Sequence, residues 1–223
     1  MPVREYLLQD SIMVSSSTRR DARRRLVVVV HHYHSHAPII AAGKSSILRA
    51  MSRATPEVAP YPFTTLHPLM GVIEYRDGMQ IKVADIPGLI AGASQGRGKG
   101  IDFLRHVERT KALCYVLDVA GTEGRDPHED LRVLVDELSA YAEGTLLDRD
   151  ALVVANKVDL IEPERLPELL ASIQETADLL GIERWGSVAG ISAGVSGQGL
   201  ASFSKDIRGI VEQYEETVDE NAY

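Results

Sequence analysis

The stretch Ala151-Leu-Val-Val-Ala-Asn-Lys-Val-Asp159 joins a short apolar run directly to a polar turn. A run of this length bounded by polar residues predicts a strand that is buried on both faces, as in a parallel sheet. A similar run at Ala112–Asp118 and a shorter one ending near Ile191 are separated from it by helical patterns. This alternation predicts an α/β fold with right-handed crossovers and a mostly parallel sheet. Ligand-binding side chains are then expected after the strands, at their carboxyl ends.

The rest of the chain fits this alternation. Residues 72–75 and 81–85 predict two strands joined at Asp77-Gly78, a typical hairpin turn, and this hairpin supplies one antiparallel strand. The run Leu26–Val30 could form a buried strand, and residues 54–68, rich in Pro and Thr, predict an extended loop. Apolar spacing and capping residues predict helices over residues 47–52, 102–110, 128–141, 163–180 and 198–216.

Composition excludes several classes of protein. A length of 223 residues suits one α/β domain or two small ones. The net charge of −8 argues against DNA binding, which requires a basic surface. The longest apolar run is too short to span a bilayer, so no membrane span is expected. The single cysteine, Cys114, excludes a disulfide scaffold and a cysteine-based zinc site.

The tripeptide Gly43-Lys44-Ser45 precedes a predicted helix. Such a loop can point backbone N–H groups at phosphate oxygens, and the helix N-terminus adds its dipole. Lys44 would then reach the β- and γ-phosphates, and the Ser45 hydroxyl would bind Mg²⁺. Taken alone, the tripeptide is equally compatible with an exposed helix start.

Two further segments fit a nucleoside triphosphate with Mg²⁺. Asp85-Ile-Pro-Gly88 ends a predicted strand, where Asp85 would hold Mg²⁺ through water and the Gly88 N–H would contact the γ-phosphate. Thr64-Thr65 lies before the hairpin, and a hydroxyl there could complete the Mg²⁺ shell and close over the γ-phosphate. The alternative for Asp85–Gly88 is an ordinary turn after a strand.

Two loops predict guanine recognition. In Asn156-Lys157-Val158-Asp159, a carboxylate can accept two hydrogen bonds from the N1–H and N2–H₂ edge of guanine, which adenine does not offer. The loop Ser192-Ala193-Gly194 could direct backbone N–H groups at guanine O6. Each motif has a simple alternative as a solvated turn. Their joint order, each after the appropriate element, favours a nucleotide site.

Longer segments resemble a known family. Tyr61-Pro-Phe-Thr-Thr-Leu66, Ala84-Asp-Ile-Pro-Gly-Leu-Ile90, Gly92-Ala-Ser-Gln-Gly-Arg-Gly98 and Asp102-Phe-Leu-Arg-His-Val-Glu-Arg-Thr110 are similar to the Obg-type GTPases. The resemblance covers about residues 41–215. It implies a Ras-like P-loop NTPase G domain with a mostly parallel six-stranded sheet and helices on both faces. It also implies binding of GTP or GDP with Mg²⁺, slow hydrolysis and a role in large ribosomal subunit assembly.

The resemblance and the motifs together give a set of candidate site residues. Lys44, Thr65 and Gly88 are the candidates for promoting hydrolysis, and Ser45, Thr65 and Asp85 are those for holding Mg²⁺. Leu89 stands where Ras-type enzymes carry a water-orienting Gln, so slow hydrolysis is expected. The nucleotide-binding set is Gly43, Lys44, Ser45, Ser46, Phe63, Thr64, Thr65, Asp85, Gly88, Asn156, Lys157 (packed along the base), Asp159, Ser192 and Ala193.

The phosphate loop departs from the family pattern. Pro38 replaces the first Gly of Gly-x-x-x-x-Gly-Lys-Ser, and proline has no N–H and a fixed φ. Ile39 and Ile40 are stiff β-branched residues, and Ala41 replaces an Asn that the family associates with potassium-stimulated hydrolysis. The alternative function is therefore a non-catalytic G-domain scaffold with weakened nucleotide binding.

Charge and motif content suggest three segments. Residues 1–36 carry six arginines against three acidic residues and are predicted to be a basic N-terminal extension. Residues 37–216 are predicted to form the G domain, and residues 217–223 an acidic tail. The glycine-rich N-terminal domain of the family is not found, which makes ribosome binding a weaker expectation than nucleotide binding. The expected location is intracellular, in the cytoplasm or alternatively in the mitochondrial matrix.

Overall fold

The structure, a computed structural model, describes residues 26–30, 43–52, 57–58, 69–85, 110–139, 146–182 and 184–220. Its strands are β1 (Leu26–Val30), β2 (Glu57–Val58), β3 (Leu69–Glu74), β4 (Gln80–Asp85), β5 (Ala112–Asp118), β6 (Ala151–Asn156) and β7 (Ala189–Ile191). Its α-helices are α1 (Lys44–Met51), α2 (Pro127–Ser139), α3 (Leu166–Leu179) and α4 (Leu200–Glu220).

The strands form one mixed sheet in the order β2-β3-β4-β1-β5-β6-β7. The strands from β4 to β7 in this order are parallel, and the hairpin strand β3 is antiparallel to β4, as predicted. The described part of the chain thus contributes seven strands, so the expected number of six is wrong. The additional strand is β2, which pairs with Leu69 and Met70 at the sheet edge. Its two residues lie inside a stretch rich in Pro and Thr, and two residues are too few to show the alternation of apolar and polar side chains that indicates a strand.

The central position of β1 changes the expected start of the fold. Val29 pairs with Asp85 of β4 on one side and with Cys114 of β5 on the other. The sheet therefore includes residues from the range assigned to the extension, and the fold begins at or before Leu26, not at residue 37. At the other end, α4 continues to Glu220, beyond the predicted boundary at residue 216. The apolar run Leu26–Val30 was recognised as a possible strand. The arginines before it and the histidines after it led to its assignment to the extension.

Helices cover both faces of the sheet, as the sequence predicted. Every residue of β5 and β6 is buried, and successive side chains point to opposite faces. On one face Cys114 and Val154 pack with α1 and α4, and on the other Leu113 and Val153 pack with α2 and α3. Burial raises the pKa of the Cys114 thiol well above its usual value, so Cys114 is a core residue without thiolate chemistry.

The predicted helices are found with shifted ends. Helix α2 begins at Pro127 because Asp126 Oδ1 accepts the backbone N–H groups of His128 at 2.8 Å and Glu129 at 3.2 Å. The expected helix over residues 102–110 lies almost entirely outside the described residues. Within the described ranges, no helix is both long and apolar enough to cross a membrane. The apolar residues of α2 at helical spacing are buried, and they are Leu131, Leu134, Val135 and Leu138.

The tip of the β3–β4 hairpin is fixed to α4. The Tyr75 hydroxyl donates to the Ser204 carbonyl at 2.8 Å, and Arg208 Nη2 donates to Asp77 Oδ2 at 2.7 Å. The Arg208 guanidinium also lies 5.3 Å from the centre of the Tyr75 ring. Burial raises the pKa of Tyr75 to about 12, so its hydroxyl stays a donor. The hairpin therefore has polar attachments to the last helix as well as backbone pairing to the sheet.

Replacing Arg208 by Met should destabilise the fold while keeping most of the side-chain length. The variant loses the Asp77 and Glu212 hydrogen bonds and the contact with Tyr75. We expect the free energy of unfolding in urea to fall by about 1–2 kcal/mol, since the side chain is only partly exposed.

The matched control is Arg132→Met on α2, where the arginine is half exposed and pairs with Glu129 only at 3.4 Å. Its unfolding free energy should change by less than about 0.5 kcal/mol. Equal losses in the two variants would show that the Arg208 contacts do not hold the hairpin.

Candidate functional site

The parallel strands bring the predicted motifs to one edge of the sheet. Asp85, Asp118 and Asn156 are the last residues of β4, β5 and β6. Because these strands are parallel, their carboxyl ends lie along the same edge. Helix α1 begins at Lys44, directly after Gly43, and Gly43 lies against Asn156 at the end of β6, so the N-terminal turn of α1 belongs to this edge as well.

Gly43 lies against Asn156. Its φ of 89° is in the left-handed region, and its carbonyl accepts the Ile47 N–H at 2.8 Å, which begins α1. A Cβ atom built on Gly43 would collide with Nδ2 of Asn156. Glycine is therefore required here both by the backbone conformation and by the close approach. This contact joins the predicted phosphate-binding turn to the predicted guanine-binding loop.

Asn156 also connects to the third loop of the site. Its side chain is almost completely buried, and its Oδ1 accepts the backbone N–H of Ala193 at 3.1 Å. Its carbonyl accepts the N–H of Val119, in the loop after β5, at 3.1 Å. A single asparagine thus contacts the segments that begin α1 and follow β5 and β7.

The turn after β7 is held by hydrogen bonds of its own. Ser192 is fully buried, and its N–H donates to the Gln198 carbonyl at 3.0 Å. Its carbonyl accepts the Gly197 N–H at 2.8 Å, and its hydroxyl oxygen accepts the Ser196 N–H at 3.3 Å. Ser192 therefore stabilises the turn from within, and Ala193 lies beside Asn156.

Asp159 is exposed at the same edge. It lies in the single 3₁₀ turn Val158–Leu160, which closes where the Leu160 N–H donates to the Lys157 carbonyl at 3.1 Å. Lys157 precedes this turn with a φ of 70°, a left-handed conformation that is uncommon for lysine. The Asp159 side chain is thus accessible to a ligand, and it lies in a turn that begins from the left-handed backbone of Lys157.

The Lys157 ammonium contacts two residues that the sequence analysis missed. Nζ lies 2.5 Å from Asp118 Oδ2 and 2.9 Å from the Thr122 hydroxyl. The sequence analysis expected Lys157 along a base and gave Asp118 no role. A signal was available, because Asp118 ends a buried strand at the edge where ligands bind.

The remaining predicted residues are placed only in part. Ser45 and Ser46 lie half-buried in the first turn of α1, and Asp85 ends β4. Hydroxyl and carboxylate oxygens at such positions fit Mg²⁺, which usually takes one or two protein ligands together with substrate phosphates. The described ranges contain no cluster of three acidic, histidine or cysteine residues that could bind a metal alone. The positions Phe63, Thr64, Thr65 and Gly88 lie outside the described residues, as do residues 38–42.

The family model for 50S ribosome-binding GTPases matches residues 40–157, more than half of the chain. The chain belongs to this GTPase family. The match begins before Gly43 and ends at Lys157, so it contains the tripeptide predicted to bind phosphate and the first two residues of the predicted guanine-binding motif. It confirms the G-domain fold inferred from the sequence.

Curated relatives agree with this assignment. The chain is 53% identical over 135 residues to a GTPase Obg from Symbiobacterium thermophilum, covering 60% of this chain and 32% of that protein. It is 57% identical over 122 residues to a probable GTP-binding protein OBGM, mitochondrial, of Oryza sativa subsp. japonica, covering 53% of this chain and 23% of that protein. The chain is therefore similar to Obg GTPases over part of its length, and it spans about a third or less of the length of these relatives.

Solved structures show the same fold at low sequence identity. The cytosolic domain of the Thermotoga maritima FeoB iron transporter in its GMPPNP form superposes with a TM-score of 0.55 at 19% identity, covering 83% of this chain and 63% of that one. A bacterial selenocysteine-specific elongation factor gives a TM-score of 0.57 at 13% identity, covering 84% of this chain and 28% of that one. These likenesses support the fold alone.

Replacing Gly43 by Ala should disturb the contact with Asn156. The new Cβ must displace Nδ2 of Asn156, and alanine must also adopt a positive φ. The control is Gly78→Ala at the hairpin turn, where φ is 82° and the new methyl group meets nothing within 4 Å.

Both variants should lose about 1 kcal/mol of unfolding free energy from backbone strain, and Gly43→Ala at least about 1 kcal/mol more. Urea denaturation measures the difference. Equal losses would contradict the close packing of Gly43 on Asn156.

Proposed function

We propose that this G domain binds GDP and GTP together with Mg²⁺, hydrolyses GTP slowly and acts as a nucleotide-dependent switch. The supporting observation is the chain of contacts from Gly43 through Asn156 to Ala193. It places the turn proposed to bind phosphate and the loops proposed to bind guanine at one edge of the sheet. Membership of the GTPase family supports the same conclusion.

Guanine selection is proposed to depend on Asp159. Its exposed carboxylate can accept hydrogen bonds from N1–H and N2–H₂ of guanine, whereas adenine leaves it unpaired. Backbone N–H groups around Ser192 and Ala193 would contact guanine O6. Asn156 keeps these two loops together, since it accepts the Ala193 N–H at 3.1 Å.

Phosphate binding and hydrolysis are proposed for the other half of the site. Lys44 would neutralise the β- and γ-phosphates, and Gly88 would donate its N–H to the γ-phosphate. Ser45, Thr65 and Asp85 would hold Mg²⁺, which adds positive charge between the phosphates. The chain's contribution is positioning and charge stabilisation without a covalent intermediate. Leu89 offers no group to orient water, so hydrolysis should be slow.

The proposed partner is the large ribosomal subunit or one of its assembly intermediates. The matching family is described as binding the 50S ribosome. The chain corresponds to a third or less of its curated relatives, so this role is proposed for the G domain as a nucleotide-controlled part of such a function. We propose an intracellular location in the cytoplasm, with the mitochondrial matrix as the alternative because one relative is named as mitochondrial.

A second candidate is a G-domain scaffold that does not turn over nucleotide. Pro38 removes one N–H from the segment that should surround the phosphates, and Ile39 and Ile40 stiffen it. In this alternative the fold acts through protein contacts alone. Nucleotide titration separates the two candidates.

The Lys44→Ala variant tests the phosphate half. Fluorescent GDP should bind the unmodified chain with micromolar or tighter affinity in the presence of Mg²⁺. Lys44→Ala should weaken this binding at least about 100-fold, because the side chain proposed to neutralise the phosphates is removed. The control is Arg49→Ala, which removes an exposed cation from the last turn of the same helix and should leave affinity within about twofold. Absence of binding by the unmodified chain would favour the scaffold.

The Asp159→Asn variant tests the guanine half. An amide oxygen can still accept one hydrogen bond, and its NH₂ group can donate to the 2-oxo group of xanthine. Preference should therefore change from GDP to XDP, with GDP affinity falling by about 100-fold. Competition against a fluorescent nucleotide measures both affinities.

Glu164→Gln is the control for Asp159→Asn, since it removes an exposed carboxylate from the segment just before α3. It should leave both affinities unchanged. If Asp159→Asn also kept its preference for GDP, the assignment of the base pocket would be wrong.

A further inference from the structure

Asp118 is a buried carboxylate to which the proposed nucleotide chemistry gives no role. Only 4% of its side chain is exposed, yet it ends β5 at the edge that carries the site. Both carboxylate oxygens have partners. Oδ1 accepts the Ala120 N–H at 3.1 Å, and Oδ2 lies 2.5 Å from Lys157 Nζ.

We propose that Asp118, with Thr122, is a positioning residue for guanine recognition. It fixes the Lys157 side chain and thereby the left-handed backbone from which the Asp159 turn begins. This inference rests on the proposed guanine specificity and adds to it a residue that touches neither the base nor the phosphates.

The backbone conformation of Lys157 must be stabilised by contacts of its side chain or neighbours. Among the described residues it is the one non-glycine residue with positive φ. A non-glycine residue in this region costs about 1–2 kcal/mol, so surrounding contacts must maintain it. The Lys157 carbonyl accepts the Leu160 N–H at 3.1 Å, which forms the turn that contains Asp159. A change in the Lys157 backbone would therefore redirect the Asp159 carboxylate.

The contacts of Asp118 are suited to this task. Asp118 is directly opposite Asn156 in the β5–β6 register, so Lys157 emerges beside it. The pair is largely withdrawn from water, which strengthens a charge-assisted hydrogen bond and makes loss of one partner costly. Thr122 adds a second acceptor at 2.9 Å from Nζ, at the start of the short 3₁₀ helix Thr122–Gly124. Asp118 at the end of β5 and Thr122 in the following loop thus both accept hydrogen bonds from the Lys157 ammonium.

A positioning role and a merely stabilising role predict different nucleotide selectivity. GDP can give Asp159 two hydrogen bonds, whereas IDP lacks the 2-amino group and gives one. If Asp159 is misdirected, the bond that distinguishes GDP from IDP is weakened. General destabilisation would instead weaken binding of both nucleotides equally. The ratio of the GDP and IDP affinities therefore reports on positioning.

The test variant is Asp118→Asn, which keeps the size of the side chain and removes its charge. The matched control is Asp126→Asn, in the connection that leads from β5 to α2. Asp126 Oδ1 accepts the backbone N–H groups of His128 and Glu129, so its replacement by Asn removes a charge at the start of α2 and leaves the contacts of Lys157 in place.

The measurement is competition of GDP and IDP against a fluorescent guanine nucleotide with Mg²⁺. In Asp118→Asn the GDP-to-IDP affinity ratio should fall at least about fivefold, since a hydrogen bond to a charged group contributes about tenfold or more. In Asp126→Asn the ratio should stay within about twofold of the unmodified value. Equal weakening of GDP and IDP by Asp118→Asn would overturn the proposal.

A second measurement needs no nucleotide. In NMR spectra of the full chain, a strong intraresidue NOE between the amide and Hα protons of Lys157 reports its positive φ. This NOE should be strong in the unmodified chain and in Asp126→Asn, and weak in Asp118→Asn. A strong NOE in Asp118→Asn would overturn the proposal. Failure of the unmodified chain to bind guanine nucleotides would refute the proposed function, and the NOE would still decide whether Asp118 holds Lys157.

Discussion

The contacts of Asn156 are the constraint on which the arrangement of the site depends. Its buried amide touches Gly43 and accepts the Ala193 N–H at 3.1 Å, while its carbonyl accepts the Val119 N–H. A buried polar side chain is costly to leave unpaired, so these segments must stay in register with one another. An aliphatic residue in place of Asn156 could not make these contacts, because the Ala193 N–H needs a side-chain acceptor. The side chain also has to fit the space that Gly43 leaves open. The parallel sheet brings the loops near, and Asn156 fixes their separation.

The fold was predictable where burial imposes a pattern on the sequence. Strands β5 and β6 are buried on both faces and are apolar throughout, and α2 carries its stripe at helical spacing. Strand β2 was not predictable, since two residues held by pairing with β3 have no period of their own. Strand β1 was recognisable as an apolar run, but its polar flanks suggested a place outside the fold. Its central position follows from pairing with β4 and β5, which are distant in sequence.

The candidate site was predictable to the extent that its chemistry is carried by short motifs. Gly43, Asn156, Asp159, Ser192 and Ala193 could each be named from residue type and position after a strand. Asp118 could not be named in this way, because its role depends on a contact with Lys157 across two strands. Motif reasoning identifies side chains that face a ligand. It does not identify the residues that set the backbone conformation of those side chains, since their partners are determined by strand register.

The difference between a switch and a scaffold depends on one half of the site. The loops proposed to recognise guanine follow β5, β6 and β7, and hydrogen bonds from Ala193 to Asn156 and from Lys157 to Asp118 hold them together. Pro38, Ile39 and Ile40 belong to the phosphate half. The chemistry of phosphate binding is distinct from that of base selection, because the first uses N–H groups and a cation and the second uses the Asp159 carboxylate. Base selectivity alone therefore does not establish turnover. The choice between a switch and a scaffold therefore depends on phosphate binding, for which Pro38, Ile39 and Ile40 depart from the family pattern.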